Sequence, residues 1–208
     1  MIFNEQIKEA LVDHMANKRY NDLTVEQVAK NQHAKTTYDF ASVKPLGMKQ
    51  VSQAAMRGDT GAIGKLAIPS VDMYLPIMPG ISNTSLSQGG GTMKPNEKMG
   101  EGNYALAGHY MTNKGILFSP LKNIQKGAYI YITDLHNVYQ YQVTARWIVN
   151  ESDVSVINDV PGQKLITLVT CASAQEGVTD RIIVRGNLVH TQKATATSLK
   201  IFTKANQG

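Results

Sequence analysis

An all-β domain, a barrel or a sandwich, carried behind a helical arm is the fold class this sequence predicts. Three observations predict it. From Gly61 onward, about eight short β-rich runs are separated by Gly, Pro, Asn and Asp. Helical spacing of apolar residues is confined to roughly the first sixty positions. The chain has 208 residues, 42% of them hydrophobic and 18% charged, which suits one large domain with a substantial core.

Residues 1–60 make the expected arm, packed on the β domain. Ile7, Leu11 and Met15 fall on one helical face, with Asn4 placed to cap them. Thr24-Val25-Glu26-Gln27 is a capping-box pattern, in which the Thr24 hydroxyl and the Gln27 amide satisfy each other's free backbone N–H groups. A weaker helix is expected over Val43–Arg57, after Pro45. His14 and His33 read as surface or packing residues. Residues 61–190 hold the strands: AIGKLAIPSV, MYLPIMPG, GTMK, YALAGHYM, AYIYIT, VYQYQVTARWIV, KLITLVTC and RIIVRGNLV. Pro69 and Pro76 belong at strand ends or edges, since neither can donate to a ladder. One short helix interrupts the series, with Ser119 as cap, Pro120 in its first turn and Gly127 as its stop. The polar, Thr- and Lys-rich residues 191–208 are expected to form a flexible tail.

Composition narrows the function classes. The formal net charge of +5 suits an acidic partner, but the basic residues are scattered without aromatic interleaving, so nucleic acid is not indicated. A single cysteine excludes an intramolecular disulfide and a cysteine-rich metal site, and leaves the redox compartment open. No apolar run reaches the ~18–20 residues of a membrane span. The amphipathic start, MIFNEQIKEALVDHMANK, lacks the apolar core of a signal peptide. The chain is therefore expected to be soluble, or to follow a membrane segment lying upstream.

The lone cysteine, Cys171, ends the run LITLVTC and is followed by small and polar residues, ASAQEG. A lone cysteine is usually a small buried hydrophobe. One placed where a strand leaves the core is also well placed as a nucleophile, provided a base or cation lies beside it, because at a pKa near 8.5 only a few per cent is thiolate. The candidate base is His109 in ALAGHYM, where Gly108 leaves backbone room and Ala105 and Ala107 keep the strand face shallow. His136 and His190 lack small neighbours that would open a cleft. Arg181 opens the last strand ten positions after Cys171; if CASAQEGVTD joins neighbouring strands, its guanidinium can approach the thiol and a developing oxyanion. Arg185 shares its parity and is the natural rival.

Taken together, TLVTC, LAGH and DRIIVRG resemble the sortase signature, the segment of the sortase histidine and the strand of the sortase arginine. The similarity runs from about Gly61 to Val189 and is closest to class A, housekeeping sortases of the streptococcal type. It implies an eight-stranded sortase β-barrel with short helices, and a membrane-anchored cysteine transpeptidase on the outer face of a Gram-positive cell. Such enzymes cut a Leu-Pro-x-Thr-Gly sorting signal between Thr and Gly. They join the Thr carbonyl to the amine of a lipid-linked peptidoglycan precursor and so anchor surface proteins. By position, Cys171 is then nucleophile, His109 general acid–base and Arg181 oxyanion stabiliser; Thr170 supports the tetrahedral intermediate. Val154, Val156 and Ile157, in SDVSVIND, cradle the Leu-Pro end of the signal, and Ala107 forms groove floor. Calcium-using relatives gather acidic residues before the histidine strand, with a further carboxylate in the substrate loop, whereas here MKPNEKMGEGN mixes Lys94 and Lys98 with Glu97 and Glu101, and only Asp159 remains in the loop. No metal and no other cofactor is therefore expected. The absence of any Asp-Pro, the mark of the lid in pilus-polymerising relatives, favours a housekeeping type. Two other readings stay open: a purely hydrolytic cysteine peptidase, and a non-catalytic β-barrel wall-binding or adhesion module with a buried cysteine.

Overall fold

The computed structural model describes residues 2–43, 45–57, 61–113 and 115–204. Helix α1 (Ile2–Asn21) buries Val12 and Ala16 against the barrel core with Leu11 and Met15 packed beside them, whereas Ile7, expected on that face, is exposed. It begins at Ile2, so Asn4 lies inside its first turn rather than capping it. Helix α2 (Val25–Asn31) carries the complete capping box on Thr24 and Gln27 and packs Val28 with Leu23, Ala62 and Met78. Helix α3 spans Met48–Arg57, starting later than the expected Val43 because Pro45 and Gly47 precede it. Residues Phe40–Ser42 form a 3-10 turn instead.

The strands β1 (Gly64–Ile68), β2 (Met73–Met78), β3 (Gly90–Thr92), β4 (Asn103–Ala107), β5 (Tyr129–Thr133), β6 (Asn137–Asn150), β7 (Leu165–Cys171) and β8 (Asp180–Lys193) close into one barrel. Its order is β1-β2-β3-β4-β7-β8-β6-β5, with β5 returning to β1. Pairs β2–β3 and β4–β7 are parallel and the remaining ladders antiparallel. Closure removes free sheet edges, the commonest liability of an all-β chain. Strand alternation sorts the side chains. Tyr104, Leu106, Ile166, Leu168, Ile182 and Val184 fill the barrel interior, while Ala105, Val169 and Ile183 face out beneath a second apolar cluster. Among the described residues, no helix is long and apolar enough to cross a membrane.

Several expectations are corrected. Residues beyond 190 do not fray up to Lys204: β8 runs to Lys193, and a 3-10 turn at Ser198–Phe202 buries Phe202, whose carbonyl accepts the Tyr20 hydroxyl at 2.7 Å. The tail reads as polar by count, but Leu199, Ile201 and Phe202 pack beside Tyr20 and Ala67. Pro76 lies inside β2, yet the ladder to β3 begins only at Ile77, so no bond to β3 needs its missing N–H. The short helix is a 3-10 turn over Ser119–Asn123, ending before Gly127, with Phe118 at its N-cap. Ser119 does not cap it: its hydroxyl accepts from Met111 N at 2.7 Å instead.

Candidate active site

Two facts of strand geometry bring distant residues together. In the parallel pair β4–β7, Ala107 stands beside Val169, so His109 and Cys171 each lie two positions further along neighbouring strand ends. In the antiparallel pair β7–β8, Cys171 stands directly opposite Arg181. The period of two then points 105, 107 and 109, with 169 and 171, and 181 and 183, to one face. His109, Cys171 and Arg181 accordingly line a single groove of about 480 Å³. Arg181 enters β8 level with the end of the cysteine's strand, where the ten-residue spacing puts it. Gly108 is required here, since a Cβ would meet the Phe118 ring at 2.3 Å. Its N–H donates to Val169 O at 3.1 Å and its carbonyl accepts the Thr170 hydroxyl at 2.8 Å.

The electrostatics favour an uncharged pair at rest. Burial pushes the Cys171 thiol up; Arg181 opposes this, and the Glu151 carboxylate adds to it. Burial, helped by the Lys8 ammonium of α1, pulls His109 down to about 4. The His109 Nε2 is shielded from solvent and has no hydrogen-bond partner among the described residues. The Arg181 guanidinium is engaged by the Glu151 carboxylate and donates to Val178 O at 2.6 Å and Asp180 O at 3.1 Å. Glu151 is itself held by its backbone N–H, which donates to Thr179 O at 2.7 Å.

The remaining residues of the expected site all reach the same groove. Ala107 and Thr170 line its floor; Val154, Val156 and Ile157 form one wall from a 3-10 turn between β6 and β7. Thr170 is buried, with its hydroxyl proton committed to Gly108 O, so in this state it braces the backbone beside His109. The groove has further lining that sequence reasoning missed. Ile81, Leu86 and Met93 come from the corner around α4 (Asn83–Leu86), and Phe40, Ala41 and Val43 from the arm. Ile81, Leu86 and Met93 stand singly among Gly, Ser and Asn, so no periodicity marks them. Lys94 Nζ donates to Asp159 Oδ1 at 2.7 Å and Asn103 O at 2.8 Å, joining the segment before β4 to the end of that wall. No group of three or more potential metal ligands occurs among the described residues.

The family model described as "Sortase domain" matches residues 66–189. A sortase A of Streptococcus agalactiae is 39% identical over 214 residues, covering 98% of this chain and 86% of the relative. A sortase A of Listeria monocytogenes is 38% identical over 201 residues, 94% of this chain and 88% of that one. The solved structure of Listeria monocytogenes sortase A superposes with a TM-score of 0.66 at 40% identity, over 68% of this chain and 97% of its own. Matches that run nearly end to end, and a solved barrel that overlays this one, place the chain in the sortase family with the class A enzymes, as a cysteine transpeptidase of cell-wall anchoring.

Proposed function

We propose that the substrate is a Leu-Pro-x-Thr-Gly-type sorting signal, cut between Thr and Gly at Cys171, and that the acceptor is the amine of a lipid-linked peptidoglycan precursor. The observation that carries the assignment of roles is the convergence of Cys171, His109 and Arg181 on one groove end. At reference pKa values about 3% of such thiols and about a quarter of such imidazoles would be ionised at pH 7, so under ~1% of molecules would hold both charges. Here the thiol is raised and the imidazole lowered, so that population is smaller still. The thiol proton therefore passes to His109 as sulfur attacks the Thr carbonyl. The oxyanion is held by Arg181 and backbone N–H groups. Collapse breaks the C–N bond, and imidazolium gives its proton to the departing glycine amine. The acceptor amine then attacks the thioester and loses a proton to His109; the C–S bond breaks and the sulfur regains its proton. Val154, Val156 and Ile157 receive the Leu-Pro end of the signal, whose apolar side chains match that wall. The enzyme works at the outer face of the membrane, held by an N-terminal anchor, as the sorting of surface proteins requires.

The test is incubation of a Leu-Pro-x-Thr-Gly peptide with and without triglycine, read by mass spectrometry. The expected result is an amide product with the amine and a thioacyl adduct on Cys171. Hydrolysis alone in the presence of amine would refute transpeptidation, and an adduct persisting in Cys171→Ala would refute the nucleophile.

A further inference from the structure

Two arginines share the groove-facing parity of β8, four residues and thus roughly 13 Å apart. Arg181 stands opposite Cys171, and Arg185 stands opposite Thr167 at the other end of the same face. The catalytic reading leaves Arg185 without a task. Its guanidinium nevertheless makes defined contacts: Nη2 donates to Val156 O at 2.5 Å and Nε to Thr167 Oγ1 at 3.4 Å, and its plane lies over Trp147 at 5.2 Å from the ring centre. The Val156 carbonyl also accepts Asn103 Nδ2 at 3.1 Å, and the same amide donates to Asn158 O at 3.0 Å. Thr167, fully buried, donates to Asn103 Oδ1 at 2.7 Å and so orients that amide.

The geometry points to Arg185 as a positioning residue that, with Asn103, clamps the 3-10 turn Val154–Ile157 and thereby shapes the wall that selects the apolar end of the peptide. Strands β4 and β8 each lend a side chain to one short turn, and β7 orients both through Thr167. The turn's own backbone bonds are few. Asp153 accepts from Ser155 N and Asn158 N donates to Ser155 O; Val156 and Ile157 pack on the second apolar cluster, and donors from the strands fix the turn's Val156 carbonyl. A guanidinium can serve the carbonyl, the hydroxyl and the indole face at once, which an ammonium cannot. The wall is thus preformed before peptide arrives, and the ordering cost of binding is reduced. This inference rests on the reading of the groove as a peptide site.

Arg185→Lys and Arg185→Gln test it, in the full chain. Relative to the parent, KM for the Leu-Pro-x-Thr-Gly peptide is expected to rise about fivefold with kcat within twofold, the signature of lost ground-state binding. The preference for that peptide over an Ala-Pro-x-Thr-Gly peptide should shrink about as much. Hydrogen exchange at residues 154–158 should quicken by about tenfold, while Cys171 alkylation keeps its rate. A fall in kcat at unchanged KM, equal losses on both peptides, or unaltered exchange in 154–158 would each overturn the clamp. The exchange measurement needs no substrate. Failure of the parent to process any sorting peptide would count against the enzymatic reading, and exchange would still decide the clamp.

Discussion

At the thiol, burial, Arg181 and Glu151 act together. Burial raises the pKa of Cys171, Arg181 lowers it and Glu151 raises it. The Glu151 carboxylate also holds the Arg181 guanidinium, so the donors proposed for the oxyanion are engaged at rest. Glu151→Gln removes one negative charge and releases that head. Its thiol pKa should fall, and iodoacetamide should alkylate Cys171 faster at pH 7, followed by intact-protein mass spectrometry. Arg181→Gln should act in the opposite sense and slow acylation by about 100-fold. An alkylation profile identical in Glu151→Gln and parent would mean that this carboxylate is not felt at sulfur. Such a pair is invisible in sequence, because Glu151 lies thirty positions from Arg181 and belongs to no pattern of its own. That Cys171, His109 and Arg181 meet at one groove was legible because each sits in a short run of distinctive texture.

At the scale of elements, the arm is part of the groove. Thr36 Oγ1 donates to Pro79 O at 2.9 Å, and Ile81 N donates to Thr37 O at 2.9 Å, so residues 36–43 lie along the α4 corner. Val43 packs on the apolar cluster that includes Ile81, Leu86, Ile157 and Val169. A peptide side chain entering that cluster must displace Val43 or share space with it. A half-buried valine contributes about 1 kcal/mol, so Val43→Ser is expected to lower KM about threefold for the sorting peptide in steady-state assays. An unchanged KM would show that segment 36–43 does not compete. On the opposite wall, the Lys94 ammonium already bridges Asp159 and the Asn103 carbonyl. Added calcium is therefore expected to leave turnover unchanged; a several-fold rise in a calcium titration would contradict this. The strands were readable as β-rich runs between Gly, Pro, Asn and Asp, whereas the ends of the short helices were not. Ser119 shows why: a serine beside proline resembles a cap, but its hydroxyl found a tertiary partner in Met111.

Across the whole molecule, the tail and the arm are tied together over β1. Tyr20 meets Phe202 through its hydroxyl and packs with it beside Ala67. Phe202→Ala should cost about 3 kcal/mol in urea unfolding, and a loss under ~0.5 kcal/mol would mean the tail is only draped there. The half-buried imidazole, its Nε2 shielded from solvent, couples the site to global stability. His109 titrates near 4 in the folded chain and near 6.5 when unfolded, so acidification protonates the unfolded chain first. Its contribution is intact above 6.5 and lost as pH falls from 6.5 toward 4, on the order of 3 kcal/mol. Glu97, buried against Met93 N and Ala105 N and raised to about 7, acts in the opposite sense, favouring the folded state as pH falls from about 7 toward 4.5. His109→Gln should accordingly gain Tm relative to the parent as pH falls from 6.5 to 4. Parallel pH profiles for the two proteins would rule out a buried neutral histidine.

The sequence by itself determined which side chains share a face. A strand's zigzag has period two regardless of its neighbours, so Ala105, Ala107 and His109 had to point together, as did Val169 with Cys171 and Ile183 with Arg181. Helix α2 was likewise legible, because a capping box is satisfied within four residues. Only the tertiary structure decided that β4 lies beside β7, that the barrel closes through β5 and β1, and that Arg185 turns to the Val156 carbonyl while Arg181 turns to Glu151. The division follows from range. Local periodicity is written into backbone stereochemistry, whereas pairing between distant segments is chosen by the burial and hydrogen bonding of the whole chain at once.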